Sequence, residues 1–269
     1  MTTRSIVTIL FLLFAKSYAQ AQSDSATIQS PDSSYFIVNM NYDSKVVFQG
    51  RTDGINQFGI TPSISYQNKK GFNASYSASF WSADSSQPAL HNLGLGWDFD
   101  LSDTWSLSLN YARWILGNGD AIAKSALNNN ASIDISYAPG TWSFTALPSV
   151  TFGSSTAFSF SFSASKFFIF SGLFTEKDRL LIIPTFSTTL ATENRFSASR
   201  VNLKKLKNSL KLQTFQATAY ELTLPIKYKV NKNLSFGATF HYAVPLNLAL
   251  SERTITALSY FSLSSGYKF

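Results

Sequence analysis

The sequence predicts an all-β fold, a closed antiparallel transmembrane β-barrel of about twelve strands behind a cleaved signal peptide. Three observations predict it. Of the 269 residues, 14% are charged and 15% aromatic, with 24 Phe and 12 Tyr. A soluble domain carries about 25% charge, so much of this surface is expected to face something other than water. Apolar and polar residues alternate with period two over long stretches of the chain. The first twenty residues read as an export signal.

That first segment has a basic residue, Arg4, then an apolar core from Ile6 to Ala15 broken by Thr8, then small-residue cleavage sites at Ser17-Tyr18-Ala19 and Ala19-Gln20-Ala21. The core is about half the ~20 residues a membrane-spanning helix needs, which favours a cleaved signal over a retained anchor. Residues 1–21 are therefore read as signal peptide, with cleavage after 19 or 21. Residues 22–34, rich in Ser and Asp, are read as a periplasmic tail, and 35–269 as the barrel. No other run after Ala21 reaches helix-spanning length, so insertion has to use strands. Cysteine is absent, which excludes disulfides, thiolate metal sites and a lipidated cysteine. The formal charge of +7 falls to +5 once Arg4 and Lys16 leave with the signal. The cations form no single basic face, so nucleic acid is not an expected partner.

The alternation defines the strands. Tyr220, Leu222, Leu224, Ile226 and Tyr228 share one face, with Glu221, Thr223, Lys227 and Lys229 on the other. Leu234 to Leu248 continues likewise, with His241 on the polar face. Phe158, Phe160 and Phe162 against Ser159, Ser161 and Ser163 is the barest case. Similar runs occupy 36–48, 58–66, 72–80, 93–101, 105–111, 133–137, 142–151, 180–190 and 257–269. A soluble β-sandwich alternates too, but its polar face carries Lys, Glu and Asp. Here that face is mostly Ser, Thr, Gly and Asn, small enough for the inside of a cylinder whose large residues face lipid.

Short and long connections are expected to alternate. Residues 68–71, 102–103, 138–140, 172–178 and 231–233 are short and flanked by aromatics; the long ones lie near 51–56, 82–91, 117–130, 191–213 and 249–254. Tight turns at one rim and long loops at the other are a barrel arrangement, with aromatic girdles between. Lys166 falls in phase with Phe162 and Phe168, so it needs either a bulge or a shallow position. Pro62-Ser-Ile-Ser-Tyr66 and Pro148-Ser-Val-Thr-Phe152 look alike and suggest a duplicated hairpin; on that reading 153–156 is a turn at the periplasmic rim.

Phe261, Leu263, Gly266, Tyr267 and the terminal Phe269 resemble the C-terminal signature of bacterial outer-membrane barrels. That resemblance implies delivery to the barrel-assembly machinery and a place in the outer membrane of a Gram-negative cell. Gly-rich aromatic stretches such as Asn92 to Asp100 are similar to uncharacterised barrels of Bacteroidota-type bacteria.

Candidate chemistry is sparse. Asp98, Asp100, Asp134, Glu221, Lys227, Lys229 and Lys268 are expected in the lumen, where charge at a constriction selects ions. His241 is a lumen polar residue near Ser235, Ser262 and Ser264, with no third group recognised to orient it as a catalytic base. His91 is read as a loop residue. No metal site or cofactor is expected. Loop residues Arg195, Arg200, Lys204, Lys205, Lys207 and Lys211 form a basic stretch suited to lipopolysaccharide phosphates, or simply to solvent. Outer-membrane lipids are the expected surroundings. A non-enzymatic narrow passive pore for small polar solutes or ions is the leading reading, ahead of a filled structural or surface-binding barrel, with a lipid hydrolase a remote third.

Overall fold

The computed structural model describes residues 33–47, 57–82, 88–116, 128–153, 156–192, 215–246 and 257–269. The expected signal, nearly all of the tail, and the basic stretch from Arg195 to Lys211 lie outside them. Fourteen strands follow in chain order: β1 (Tyr35–Asp43), β2 (Gly59–Gln67), β3 (Phe72–Trp81), β4 (Leu90–Asp100), β5 (Trp105–Leu116), β6 (Asn129–Tyr137), β7 (Trp142–Phe152), β8 (Thr156–Lys166), β9 (Phe168–Ser171), β10 (Arg179–Ile182), β11 (Thr185–Ala191), β12 (Gln216–Lys229), β13 (Leu234–Pro245) and β14 (Leu258–Lys268).

Each strand pairs antiparallel with its chain neighbour except around β8 to β12, where the ladder divides. The lower half of β12 pairs with β10, Ile226 opposite Ile182, while its upper half pairs with β11, Thr223 opposite Thr185. On the other side β8 pairs with β11 and β9 with β10. Thus β8 with β9 makes one crossing interrupted at Phe167, and β10 with β11 makes another interrupted at Ile183 and Pro184. Twelve crossings result. The ring closes through β1 and β14, from Ile37 opposite Lys268 to Asp43 opposite Ser262. A single crossing was expected over 180–190. Pro184 explains its division, since it has no N–H to give the ladder. Neighbouring donors stay satisfied: the Lys166 amide donates to the Pro184 carbonyl, Phe167 to Thr141 and Ile183 to Pro225.

The connections 68–71, 101–104, 138–141, 172–178 and 230–233 share one rim with Tyr35 and Phe269; the long connections share the other. The exception is 153–155, which is short yet joins β7 to β8 at the long-loop rim. The duplicated-hairpin expectation fails for a directional reason. Pro62 lies on β2, running toward the short turns, and Pro148 on β7, running away from them. What the two prolines share is a skipped pair of ladder positions beside each.

Side chains follow the expected faces. Leu95, Leu109, Ile133, Phe158, Leu222, Phe240 and Leu263 all stand exposed on the outer wall. Aromatics gather where that wall meets the short turns: Phe36 with Tyr66 at 5.0 Å, Trp105 with Tyr137 at 4.7 Å, Phe72 with Trp97 at 6.0 Å. Cross-strand pairs of this kind contribute about 0.5–1 kcal/mol each and mark the level of a membrane interface. Lys166 is outward without a bulge. Its ammonium donates to the Thr141 hydroxyl at 2.6 Å and lies 4.8 Å over the Trp142 ring, beside the 138–141 turn. It snorkels to that rim.

Candidate functional site in the lumen

The inner wall is built from short side chains that lie along it. Gly94 stands opposite Ser75, Gly237 opposite Ser264 and Gly266 opposite Asn39. In each pair the hydroxyl or amide occupies the space a Cβ on the glycine would fill. Asn73 and Asn110 close over Gly96 from both sides. Between the glycines, hydroxyl ladders bridge strands: Thr61 to Ser79 at 3.0 Å, Ser161 to Thr189 at 2.9 Å, Ser165 to Thr185 at 2.8 Å. Side chains that satisfy each other sideways lie along the wall rather than reaching toward the axis.

Two polar networks are anchored on this wall. Near the short-turn rim the Lys268 ammonium lies 3.6 Å over the Tyr35 ring. The Tyr35 hydroxyl donates to Gln67 Oε1 at 2.8 Å, and Gln67 Nε2 and Asn73 Nδ2 both donate to Asp98 Oδ2, at 3.1 and 3.2 Å. This network joins β14, β1, β2, β3 and β4. Asp134 accepts from Ser136 at 2.9 Å. Asp100 is likewise engaged rather than free.

The lumen charges are segregated. Asp98 and Asp100 sit on β4 and Asp134 on β6, whereas Lys227 and Lys229 sit on β12, with Arg179 of β10 in register beside Lys229. Counting crossings round the ring, β4 is fourth and β12 tenth, half a turn apart. Acids and bases therefore face each other across the short-turn end of the lumen, with Lys268 on β14 between them. Arg179 was not among the residues expected there.

The second network lies higher, on β12, β13, β14 and β1. His241 Nδ1 is 2.9 Å from Glu221 Oε1, and the Tyr260 hydroxyl donates to the same oxygen at 3.2 Å. The His241 ring stacks on Tyr260, centroids 4.2 Å apart. On its far side Nε2 lies 3.3 Å from Ser262 Oγ, which donates to Asp43 Oδ1 at 2.6 Å. Asn41 Nδ2 holds the other Asp43 oxygen at 2.9 Å. The third group judged missing beside His241 is thus Glu221, one strand away. Ser235 and Ser264 are not in this chain of contacts; Ser264 packs against Gly237 instead. Lumen-side Ala219 and Ala243, next to Glu221 in the wall, are buried.

His91 is a strand residue on the outer wall of β4, not a loop residue. Its Nδ1 meets the Tyr76 hydroxyl at 2.8 Å, and the rings stack. The lipid-facing side therefore does carry a histidine, near the long-loop rim. Among the described residues no group of three or more His, Asp or Glu is placed to hold a metal ion.

A closed twelve-crossing antiparallel ring, apolar outside and hydroxyl-lined within, is the architecture of outer-membrane β-barrels. Among solved structures the chain is similar to a KdgM porin, with a TM-score of 0.53 at 8% identity, covering 87% of this chain and 99% of that one. It is less similar to a NanC porin, TM-score 0.47 at 12% identity over 87% and 98% of the two chains. LpxR from Salmonella typhimurium gives 0.48 at 12% identity over 86% and 99%. At such identities the KdgM likeness shows the fold. No family model and no curated protein matches the sequence.

Proposed function

We propose that the protein is an integral outer-membrane barrel of a Gram-negative cell, exported by residues 1–21 and assembled through its Phe261 to Phe269 strand, which acts as a narrow passive pore for small polar solutes or ions. The observation that carries the reading is the inner wall. Ser and Asn side chains fold flat over Gly94, Gly96, Gly237 and Gly266 rather than projecting into the lumen. A twelve-strand ring lies between small barrels filled by side chains and large open porins, so the size of the inward residues decides which it is. Opposed charge at the short-turn end gives that mouth a transverse field, suited to polar solutes rather than to one sign of ion.

The remote hydrolase reading gains Glu221, which with His241 and Ser262 completes an acid–base–nucleophile order. Asp43 weighs against it. It accepts the Ser262 hydroxyl hydrogen bond at 2.6 Å, which turns that hydroxyl away from His241, and its charge opposes the oxyanion that an attacked carbonyl would develop. The cluster is better suited to stitching β12, β13, β14 and β1 together while placing negative charge on the lumen wall.

Single-channel recording in planar bilayers tests the proposal. Steady conductance is expected, with its cation-to-anion preference moving toward anions in Asp98→Asn with Asp100→Asn. Electrical silence of a barrel shown to be folded would overturn the pore in favour of a filled structural barrel.

A further inference from the structure

The outer wall holds a second candidate site, unrelated to conduction. Among the described strand residues its only full-time cation besides Lys166 is Arg113, on β5 in phase with Leu109 and Tyr111 and exposed. Lys166 has Thr141 and Trp142 at the short-turn rim. Arg113 lies three residues from the long-loop end of its strand, between Leu93 and Asn129 in register. A guanidinium facing lipid is costly unless it meets a partner of opposite charge.

Immediately below Arg113 the wall is concave. A groove of about 880 Å³ crosses β4 to β8. Its lining includes the smaller Ala131, Pro148 and Val150 beside the larger Tyr111 and Phe158, and it extends to Phe72 of β3 and to Phe215. These residues follow the ladder, Tyr111 opposite Ala131, Ala131 opposite Val150, Val150 opposite Phe158. The groove therefore runs across strands, as four steps of ~4.8 Å from β4 to β8, and spans roughly 19 Å. That is the scale of an extended acyl chain.

We infer that β4 to β8 bind one phosphorylated glycolipid of the lipid A type from the outer leaflet: an acyl chain fills the groove over Ala131, Pro148 and Val150, and its headgroup phosphate meets Arg113. Asn129, which accepts from the Tyr111 hydroxyl at 2.7 Å, stands beside Arg113 as a further polar contact for the headgroup. The charge supplies the complement to a phosphate, and the paired N–H fork of arginine suits its oxygens. The inference rests on the outer-membrane placement proposed above, taken with the long-connection rim facing the cell exterior as in outer-membrane barrels, and not on conduction.

The experiment is native mass spectrometry of the detergent-solubilised barrel with bis-phosphorylated lipid A, the same lipid A stripped of phosphate, and phosphatidylglycerol. Retention of the bis-phosphorylated form is expected to exceed that of either other lipid. Arg113→Gln is expected to weaken it about tenfold, the effect of losing charge-assisted hydrogen bonds. Val150→Phe, which fills the groove and leaves the lumen untouched, should weaken retention of both lipid A forms; Ala131→Leu does the same by a second route if Val150→Phe misfolds. Lys166→Gln should change nothing. Equal retention of all three lipids, or full retention by Arg113→Gln, would overturn the inference. Conductance measured on the same variants stays at the wild-type value, so this failure and that of the pore are separable.

Discussion

The two faces of the same wall treat charge in opposite ways. Inside, Asp43, Asp98, Asp134 and Glu221 are each held by neighbouring amides, hydroxyls or a histidine, and Lys227 and Lys229 stand half a turn from the β4 acids. Outside, among the described strands, the two lysine or arginine side chains are Arg113 and Lys166, no carboxylate faces out, and most other outward positions are apolar, aromatic or small, Asn129 beside Arg113 being an exception. The difference is one of solvent. On the polar inner face a charge finds hydrogen-bonding partners and shapes a field; against acyl chains it is tolerated only where it reaches a rim or a counter-charge. A residue's meaning in this chain depends first on its parity along the strand and only then on its type.

Exchanging parity at one site is the most severe way to break that contrast. Ile133→Arg, outward at the middle of β6, is expected to cost about 2–4 kcal/mol in denaturant titrations of folding into vesicles. Ser132→Arg, one residue away and inward, should cost a few tenths of a kcal/mol and instead shift conductance toward anions. Equal penalties for the two would mean that the wall has no distinct lipid side.

A smaller effect is expected at the rim, where the wall ends and neither rule applies. Asp178 is fully buried in the 172–178 turn. Burial alone would push its carboxyl up, but the amides of Leu173, Phe174 and Thr175 and the Tyr228 hydroxyl all donate to it and hold it down at about 2. Its ordinary value is 3.8, so the ionised form favours the folded turn. This stabilisation is complete above about pH 4 and drains away as pH falls toward 2. Asp178→Asn should lower the denaturation midpoint at neutral pH, and the gap between variant and wild type should close over that acid window. A gap that persists at pH 2 would assign the effect to lost shape rather than lost charge.

The smallest expected change sharpens the view of the inner face alone. Glu221→Gln leaves the contact with His241 but removes one negative charge, and the cation-to-anion permeability ratio should fall by about twofold. An unchanged ratio would mean that Glu221 does not lie where the lumen discriminates between ions.

The faces, the short turns and the twelve crossings were legible because each rests on local rules: period two, turn residues, and aromatics beside tight connections. What the sequence hid depends on register. Asp43, Glu221, His241 and Ser262 are far apart along the chain, and they converge only because β1 closes onto β14. Glu221 went unrecognised as the partner of His241 because alternation assigns a face but no height. Arg113 escaped notice because the period appeared to end at Tyr111, two residues short of it. The groove was invisible for the same reason as the cluster, since Ala131, Pro148 and Val150 come from two strands and look unremarkable in each. The interruption at Phe167 and at Ile183 with Pro184 flips no parity, so nothing in the pattern announced it.

Closure of the ring has a consequence for how such a molecule is made. The Phe261 amide bonds to the Ser44 hydroxyl at a sequence separation of 217, so the first strand to emerge waits, one edge bare, for the last. Until that meeting the growing sheet has two open borders and a flank of exposed Phe and Leu, the very features that drive chains to stick to one another. The polypeptide is therefore expected to need an escort throughout its transit and a catalysed final zip, and its maturation is a timing problem as much as a packing one.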